Sequence, residues 1–489
     1  MLNKKELELI KKLIKKLNYY RATNQVRKNY YHGENKVLDL QISTPPQLRA
    51  VHQSLGWIKI ATDAPVDRLD LQGWSLSEAE ADEYGLNELY DENYLQEEAR
   101  NAHLDALRYG VSFVIIGQGT PGTAEPEVLI TAESPFNVTA NYNLRTRRVK
   151  EAIQITDENE ETKVTYGTLF TEQEIISFAI LPKEEIVEVG ERIQHNMNRC
   201  PVVQLTNSRD SGSSKGHSHI TTHMMTITNS ALRTMLGIES AREFFTMPPR
   251  YILNAANEFR DADGNAVDPF TAIMSKVLAI PAQEAQPGEV APPKPEIGQL
   301  PGGSPDAYIA IMEFYAQAFA SVATLPHSYL MKEAAQPTSA DAIRAQEARL
   351  IKLAANKVAS FSRSWSEVAQ LALLIRDGEL PEGATGIKPM WADVSTISPG
   401  AAADRVQKLV ASGILQPTSE IVLRELGFSR ADRELIRQEN NQALSSSYLN
   451  AIIEANRATG ATEAVEEVEA TPTEQAQAAL GQVGEDYEG

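Results

Sequence analysis

The sequence predicts an α+β fold that combines an antiparallel sheet with long helices. Between residues 111 and 205, short strand-like runs follow one another without long helices between them, which is typical of an antiparallel sheet. Further along, helical spacing of apolar residues extends over 217–245, 306–324 and 340–377. At 489 residues the chain is too long for one compact core, so we expect two to four modules.

Composition and charge narrow the class of protein. Cys200 is the only cysteine, so no intrachain disulfide can form and a reducing compartment fits best. No apolar run approaches the ~18 residues needed to cross a bilayer, and the N-terminus lacks the apolar core of a signal peptide. The net charge of −20 lacks the basic excess of a sequence-reading DNA-binding protein. This acidity does not exclude DNA as a passing cargo, because a surface along which DNA moves should not hold the phosphates.

An amphipathic helix is predicted over residues 2–21, with lysines on one face. Its other face carries Leu2, Leu7, Ile10, Leu13, Ile14 and Leu17. We prefer a helix docked on the surface of its own domain. A helix lying on a membrane surface and a basic contact to an acidic neighbour are the alternatives.

The sheet region is introduced by residues 48–74, which read as a helix entering a short strand at Leu69–Trp74. A second helix over Tyr94–Tyr109 is stopped by Gly110 and precedes the apolar strand Val111–Ile116. The remaining strands are expected within 126–155, near 162–170, near 173–181 and at Val202–Leu205.

Two long helices flank a small module of different composition. The first, over 217–245, is ended by Met247-Pro248-Pro249. Residues 250–304 carry short strand signals, an Asp-Gly-Asn turn and a Pro-rich run, as expected for a small β-hairpin-like module with an extended arm. The second helix covers Asp306–Thr324 and leads into a loop.

The longest helix is predicted over residues 340–377. Pro337 and Thr338 signal its start, and Gly378 followed by Pro381 signals its end. At about 1.5 Å per residue it is a rod of roughly 57 Å. Residues 399–457 then read as a cap of short helices. The tail over 458–489 is rich in Ala, Thr and Glu and cannot bury a core, so we expect disorder or coil there.

One stretch formally matches the nucleophile elbow of hydrolases, Gly212-Ser213-Ser214-Lys215-Gly216. The elbow needs a strand that runs straight into the serine, and here the polar residues 206–210 intervene. We therefore expect a loop that starts a helix, and keep a hydrolase using Ser214 as an unfavoured alternative. No Walker motif is present, so the chain should not drive DNA movement itself.

Two groups of residues resemble metal ligands. The histidines are His217, His219 and His223. A catalytic zinc helix would carry a glutamate where Ile220 stands, so polar surface near a helix start is preferred. The aspartates are Asp261, Asp263 and Asp268. An EF-hand loop needs its glycine at the sixth position, whereas Gly264 falls at the fourth, so a hairpin turn is preferred. We expect no metal, no cofactor and no catalytic residue.

Several stretches together resemble the portal proteins of tailed bacteriophages. The segment LPHSYL followed by QPTSADAIRAQEARLIKLA is similar to the tunnel loop and kinked helix of that family. Asp67-Arg68-Leu69 with Gly73-Trp74 matches its N-terminal segment, and AHLDALRYGVSFVIIG matches its helix-to-strand element. The segment PVVQLTN, which precedes a Gly-Ser-rich loop and a long helix, also resembles the corresponding segment of that family. The similarity is to SPP1-type portals, nearest to those of actinobacterial phages, over about residues 20–440.

The resemblance implies a portal-type fold with an antiparallel β wing, two stem helices around a small clip, a long kinked helix and a helical crown. Its expected domains are a wing over 1–210, a first stem helix over 211–247, a clip over 248–304, a second stem helix over 305–324, a tunnel loop over 325–339, the long helix and wing return over 340–398, a crown over 399–457 and a flexible acidic tail over 458–489.

The resemblance also implies a ring, with twelve copies expected, at the portal vertex of the capsid, assembled in the host cytoplasm. Expected partners are the terminase large subunit, the major capsid protein, head-completion or adaptor proteins and double-stranded DNA as passing cargo, with no membrane. The tunnel-loop residues facing DNA would be Leu325, Pro326, His327, Ser328, Tyr329, Leu330, Met331, Lys332 and Glu333. The partner-docking clip residues would be Tyr251, Asn254, Asn257, Asp263, Asn265, Lys276 and Lys294. A non-channel minor capsid or scaffold protein is the alternative.

Overall fold

The computed structural model describes most of the chain in two compact units, Met1–Val394 and Ser395–Gly489. The described residues are 2–36, 54–76, 84–159, 161–195, 197–246, 250–253, 259–260, 266–267, 294, 296–299, 306–330, 340–395, 399–428 and 430–458. Helices and antiparallel strands are both abundant, which confirms the predicted mixed fold. Within the described residues, no helix is both long and apolar enough to span a membrane.

Helix α1 spans Lys4–His32 and is docked on the sheet of the first unit, as the preferred interpretation predicted. It begins with a capping box, in which the side chains of Asn3 and Glu6 each satisfy the other's backbone amide. Its apolar stripe packs against the sheet residues Ile153, Leu169, Ile176 and Phe178. The helix runs eleven residues past the predicted end at 21, because Asn24 and Tyr31 continue its buried face.

The largest sheet has six strands and is antiparallel throughout. Its strands are β4 Val138–Asn143, β5 Arg148–Asn159, β6 Val164–Phe170, β7 Glu174–Ile180, β8 Ile186–Glu188 and β9 Ile193–Gln194. They pair in the order β4-β5-β6-β7-β8, with β9 also on β7. The predicted runs of strands are thereby confirmed.

A second, three-stranded sheet joins β2 Val111–Gln118 to β3 Val128–Glu133 and to β10 Val202–Thr206. It is preceded by α2 Trp57–Val66, α3 Leu86–Glu92 and α4 Leu95–Tyr109. Gly110 ends α4 with φ 97°, and a Cβ there would lie 2.7 Å from the Gly216 carbonyl oxygen. That close approach requires glycine.

A short strand pair closes the first unit. β1 Leu71–Ser75 pairs antiparallel with β15 Lys388–Trp391, with Trp74 opposite Pro389. The sequence predicted the first strand over 69–74 but not its partner. The two strands come from opposite ends of the unit and bracket the long helices.

Three long helices follow the sheets: α5 Thr222–Thr246, α6 Asp306–Ala323 and α7 Ala340–Asp377. α5 begins five residues after the predicted start at 217. The preceding backbone is instead bonded to other segments, since the amides of His217 and His219 donate to the carbonyls of Asn207 and Leu107. α7 has the predicted bounds, and Gly378 ends it in the left-handed conformation with φ 79°.

Between α5 and α6, four short strands are described. β11 Arg250–Leu253 pairs with β14 Glu296–Gln299, and β12 Phe259–Arg260 pairs with β13 Ala266–Val267. The second pair agrees with the predicted hairpin, while its turn residues, with Asp261, Asp263 and Gly264, lie outside the described residues. Asp268 lies outside them as well.

Helix α7 is the axis of the main core. Its residues Phe361, Trp365 and Leu371 are fully buried. The core also takes in α2, α4, α6 and the three-stranded sheet. The second unit is described by itself and consists of α8 Pro399–Ala411, α9 Glu420–Glu425 and α10 Arg430–Ala458. The helical character agrees with the prediction, but the predicted short helices are wrong for α10, which continues for 29 residues. The tail beyond Ala458 lies outside the described residues.

Candidate functional site

The loop between α6 and α7 is described from Thr324 to Leu330. Thr324 leaves the helix with φ 62°, and the Leu325 amide donates to the Ala320 carbonyl at 2.9 Å. A turn of 3₁₀ helix follows over His327–Tyr329. This tight exit turns the chain back onto its own domain before α7 begins.

The large apolar residues at the start of this loop are packed against the first unit. Leu325 and Pro326 are buried, and Tyr329 and Leu330 are half-buried beside the main core. Only His327 and Ser328 are exposed among the described loop residues. The four apolar side chains therefore anchor the start of the loop to the domain.

A polar cluster, here termed the anchor triad, fixes this turn to α7. It consists of Arg68, Tyr329 and Glu347. The Arg68 guanidinium lies 3.0 Å from the Glu347 carboxylate, and the Tyr329 hydroxyl donates to the same carboxylate at 3.0 Å. Arg68 also donates to the Tyr329 hydroxyl at 3.4 Å and to the Val394 carbonyl at 3.0 Å. Three segments distant in sequence thus meet at one ion pair.

Burial and hydrogen bonding act in opposite directions on the pKa of Arg68 in the anchor triad. Burial alone would lower the pKa of Arg68, but the hydrogen bonds to Tyr329 and Glu347 outweigh it and raise that pKa. Burial raises the pKa of the Tyr329 hydroxyl. Arg68 therefore stays charged and holds the loop through a desolvated ion pair. The sequence had singled out Arg68 within its Asp67-Arg68-Leu69 signature without assigning its partner.

Several of the predicted site residues can be placed on elements. Tyr251 lies on β11 opposite Gly298 of β14, and Lys294 is exposed just before β14. The remaining predicted tunnel-loop and clip residues lie outside the described residues: Met331, Lys332, Glu333, Asn254, Asn257, Asp263, Asn265 and Lys276. Their roles stay predictions.

The histidines near α5 differ in environment. The exposed His217 ring lies 2.6 Å from the Asp210 carboxylate, and His223 is exposed. His219 is half-buried, so the prediction of polar surface does not hold for it as it does for the other two. Burial lowers its pKa to about 4, and its Nε2 has no hydrogen-bond partner among the described residues. No group of three potential metal ligands exists among the described residues.

Helix α6 presents two apolar faces. Ala316, Phe319, Ala320 and Ala323 are buried at helical spacing, where α6 packs on α5 and α2. The opposite face exposes Ile311, Phe314 and Val322, with Phe314 64% exposed. Single exposed apolar residues are ordinary, whereas a stripe along one helix marks an interaction surface.

A comparison with known protein families identifies the family of this chain. A family model described as "Phage portal protein, SPP1 Gp6-like" matches residues 10–443. The chain belongs to the phage portal protein family. Portal proteins of this family are structural, so the hydrolase alternative at Ser214 is excluded. Ser214 itself lies in the loop before α5, where its carbonyl accepts from the Gln204 side chain at 2.9 Å.

Individual relatives agree with this assignment. The chain is 26% identical over 436 residues to the portal protein of Mycobacterium phage D29, covering 88% of this chain and 87% of that protein. The portal protein of Mycobacterium phage L5 shows the same identity and coverage. This confirms the predicted nearness to portals of actinobacterial phages.

Chains in solved structures of gene transfer agent particles also align with this chain. The chain aligns with a chain from the neck of an empty gene transfer agent particle at TM-score 0.43 and 12% identity, covering 81% of this chain and 96% of that one. A chain from the virion of a native gene transfer agent particle aligns at TM-score 0.41 and 12% identity, covering 76% and 89%.

Proposed function

We propose that this portal protein forms a closed ring of twelve copies at one capsid vertex, as a channel through which double-stranded DNA enters and leaves the head. The ring would dock the terminase large subunit during packaging and the head-completion proteins afterwards, within a shell of major capsid protein. It would assemble in the host cytoplasm and remain in the virion. Membership in the portal family and the exposed apolar face of α6 support this proposal.

The observation that carries the ring is the stripe of Ile311, Phe314 and Val322. Its residues lie about one helical turn apart or a multiple of it, on the side of α6 away from α5. An apolar stripe left in water favours contact with a second surface. A head-to-tail contact between copies closes into a ring when the rotation permits it. The α6 stripe would then lie against the neighbouring copy.

The loop would supply the part of the channel nearest the DNA. Leu325 and Pro326 hold its base inside the domain, and the anchor triad fixes the first turn. The DNA-facing part would therefore begin at His327 and Ser328 and continue through Glu333. In this proposal the module over 248–304, with Tyr251 and Lys294, meets the terminase and adaptor proteins.

The charge of the assembly fits a channel that DNA passes through without being held. Each copy carries a net charge of −20. A predominantly acidic lumen would repel phosphates, so duplex DNA should bind the ring weakly at physiological salt. Nanomolar, salt-sensitive affinity for a linear duplex would contradict this part of the proposal.

The decisive experiment measures the mass and shape of the purified full-length chain. Twelve copies of the 53.8-kDa chain would weigh about 646 kDa, and thirteen about 699 kDa if assembly outside the capsid miscounts. Mass photometry should give a species in this range, and negative-stain microscopy should show rings with a central hole. A chain that stays monomeric at high concentration in moderate salt overturns the proposal. It would favour a non-channel minor capsid or scaffold protein.

A further inference from the structure

A cavity of about 110 Å³ lies where the second half of α1 crosses the sheets and the loop before α5. Three basic residues are among those that line it: Lys16, Arg27 and Lys215. Its wall also includes the aromatic residues Tyr20 and Tyr109 and the hydroxyl-bearing Thr139. None of its described lining residues is acidic. In a chain with 66 acidic and 46 basic residues, this local excess of positive charge is unusual.

The three cations are held in place by neutral groups. Lys16 Nζ donates to the Ala140 carbonyl at 2.6 Å. Arg27 Nη1 donates to the Tyr109 carbonyl at 3.0 Å and more loosely to the Asn24 side chain at 3.4 Å. Lys215 Nζ lies 5.6 Å from the centre of the Tyr20 ring. These contacts orient the positive groups, and within the described part of the chain none of the three forms an ion pair with a carboxylate.

Burial makes this arrangement costly for the protein. Burial lowers the pKa of Arg27, and burial together with the charge of Lys12 lowers the pKa of Lys16. Burial raises the pKa of the lining residue Tyr109, and the charge of Asp105 adds to this effect; the Asp105 carboxylate itself lies 3.6 Å from the Arg108 guanidinium. Its charge is therefore engaged by Arg108. A ligand that brings negative charge into the cavity would favour the charged forms of these cations and so offset the cost of their burial.

We propose that this cationic cavity is a binding site for a phosphate group, held by Lys16, Arg27 and Lys215. A planar guanidinium donates two parallel hydrogen bonds to an oxyanion, and the two ammonium groups add charge-assisted bonds. The cavity has room for several water molecules, and therefore for a tetrahedral oxyanion of five heavy atoms. This site is separate from the tunnel loop and does not depend on the channel proposal. The phosphate comes either from solution or from a nucleic-acid backbone.

The direct test uses the full-length chain and inorganic phosphate. Isothermal titration at constant ionic strength, against chloride, should show saturable binding. Acetylation of lysines, read by mass spectrometry, should show that phosphate protects Lys16 and Lys215 but leaves Lys15 unprotected. Lys15 is exposed on the same helix outside the cavity. The proposal is wrong if phosphate shows no saturable binding. It is also wrong if phosphate leaves the acetylation of Lys16 and Lys215 unchanged.

Variants give a second, independent measurement. K215Q removes an exposed charge that makes only a ring contact, so the fold should not change, and phosphate affinity should fall about tenfold. R27Q should lose more phosphate affinity than K215Q does. R27K should keep part of the affinity that R27Q loses. K15Q is the matched control and should bind like the parent chain. If R27Q does not fold, the affinity of K215Q and the acetylation pattern still test whether the cavity binds phosphate.

Two competition arms identify the source of the phosphate. If a short fluorescent duplex is displaced by inorganic phosphate, and K215Q weakens the duplex as well, the site accepts backbone phosphates. If phosphate binds but does not displace the duplex, the ligand is a free phosphate. If neither binds while a glutamate-rich peptide does so in a Lys215-dependent manner, the cavity receives carboxylates and the proposal is wrong.

Discussion

Trp365 donates its indole N–H to His103 Nε2, at 2.8 Å, in the centre of the main core. Phe361 stacks on the same imidazole with ring centroids 5.2 Å apart, and Trp391 lies against it at 5.3 Å. Because Nε2 accepts this bond, His103 is held neutral. The imidazole of His103 therefore joins α4 to the long helix α7 and to the strand β15.

Removing the donor at this contact should be costly. In W365F the buried Nε2 of His103 loses its partner, and the smaller ring leaves a cavity, so the free energy of unfolding should fall by about 2–4 kcal/mol. Urea titration followed by tryptophan fluorescence and circular dichroism would measure it. W391F is the control. Its indole donates to Ser362 at 3.0 Å from a half-buried position, so the loss should be about 1 kcal/mol. If the two variants lose equal free energy of unfolding, the hydrogen bond to His103 contributes no more to stability than the bond to Ser362.

Acid should weaken the fold through buried histidines. Burial lowers the pKa of His103 to about 3 and that of His219 to about 4. In the unfolded chain both should titrate near 6.5, so the unfolded state binds more protons between about pH 6.5 and 4. Stability must then fall as the pH drops through that window, by up to about 1.4 kcal/mol per pH unit for each histidine.

The variant H103Q isolates one of these histidines. Its glutamine can still accept the indole bond but does not titrate, so the fall in stability between pH 6 and 4.5 should be shallower than in the parent chain. H327Q, at an exposed loop position, should follow the parent slope. Denaturant midpoints at four or five pH values would give the slopes, and identical slopes for H103Q and the parent would contradict the assignment.

The anchor triad should contribute more to stability than exposed ion pairs do. Arg68 and Glu347 have side chains only 11% and 14% exposed, so E347Q leaves a buried cation without its counter-charge. We expect a loss of about 3 kcal/mol. The pair of Arg100 with Asp67 is 2.7 Å long but 49% and 57% exposed, so D67N should cost under about 1 kcal/mol. Thermal unfolding of both variants beside the parent would measure the difference.

The exposed stripe on α6 should control assembly more than folding. F314S removes a large side chain that is 64% exposed, so the far-ultraviolet spectrum should be unchanged while the ring dissociates to smaller species. Light scattering after gel filtration would report the mass. I193S alters a residue that is 60% exposed on β9, away from α6, and should leave the ring intact. A full-sized ring of F314S would place the contact between copies elsewhere.

Shortening the tunnel loop should separate assembly from DNA handling. Deleting Lys332–Gln336 removes residues beyond the anchored turn, so rings should form and dock terminase normally, while packaging or retention of the genome should be impaired. A deletion of Pro121 and Gly122, in the exposed turn between β2 and β3, is the control. If heads that carry the shortened loop fill with DNA and retain it normally, the loop is only a connector between the two helices.

Local signals explain what the sequence predicted well. Helix α7 was predicted to its end residues because Pro337, Thr338 and Gly378 mark the boundaries of a long periodic segment. Gly110 likewise fixed the end of α4. The end of α1 was placed too early because its later buried residues, Asn24 and Tyr31, are not an apolar stripe. Helix limits are predictable where caps and periodicity agree.

Contacts between distant segments explain the rest. The strand β15 has only four residues, and no local pattern tells that Trp391 pairs with Leu71. The triad of Arg68, Tyr329 and Glu347 joins two regions more than 250 residues apart, so its charges look like ordinary surface residues in sequence. The burial of Leu325 likewise depends on contacts with segments that are distant in sequence. Partners at long range are set by the tertiary fold, which single-sequence patterns do not encode.

The pairing of β1 with β15 also fixes an order of events in time. Ser75 lies opposite Lys388, and 313 residues separate them in the chain. At about 5–20 residues per second, a ribosome needs roughly 16–60 seconds to make that interval. During this period β1 has no partner strand, while α5 and α6 are synthesised. The surfaces proposed to join one copy to the next therefore exist before the unit that bears them can close. On a polysome, neighbouring nascent chains could meet in that interval, and assembly would compete with folding.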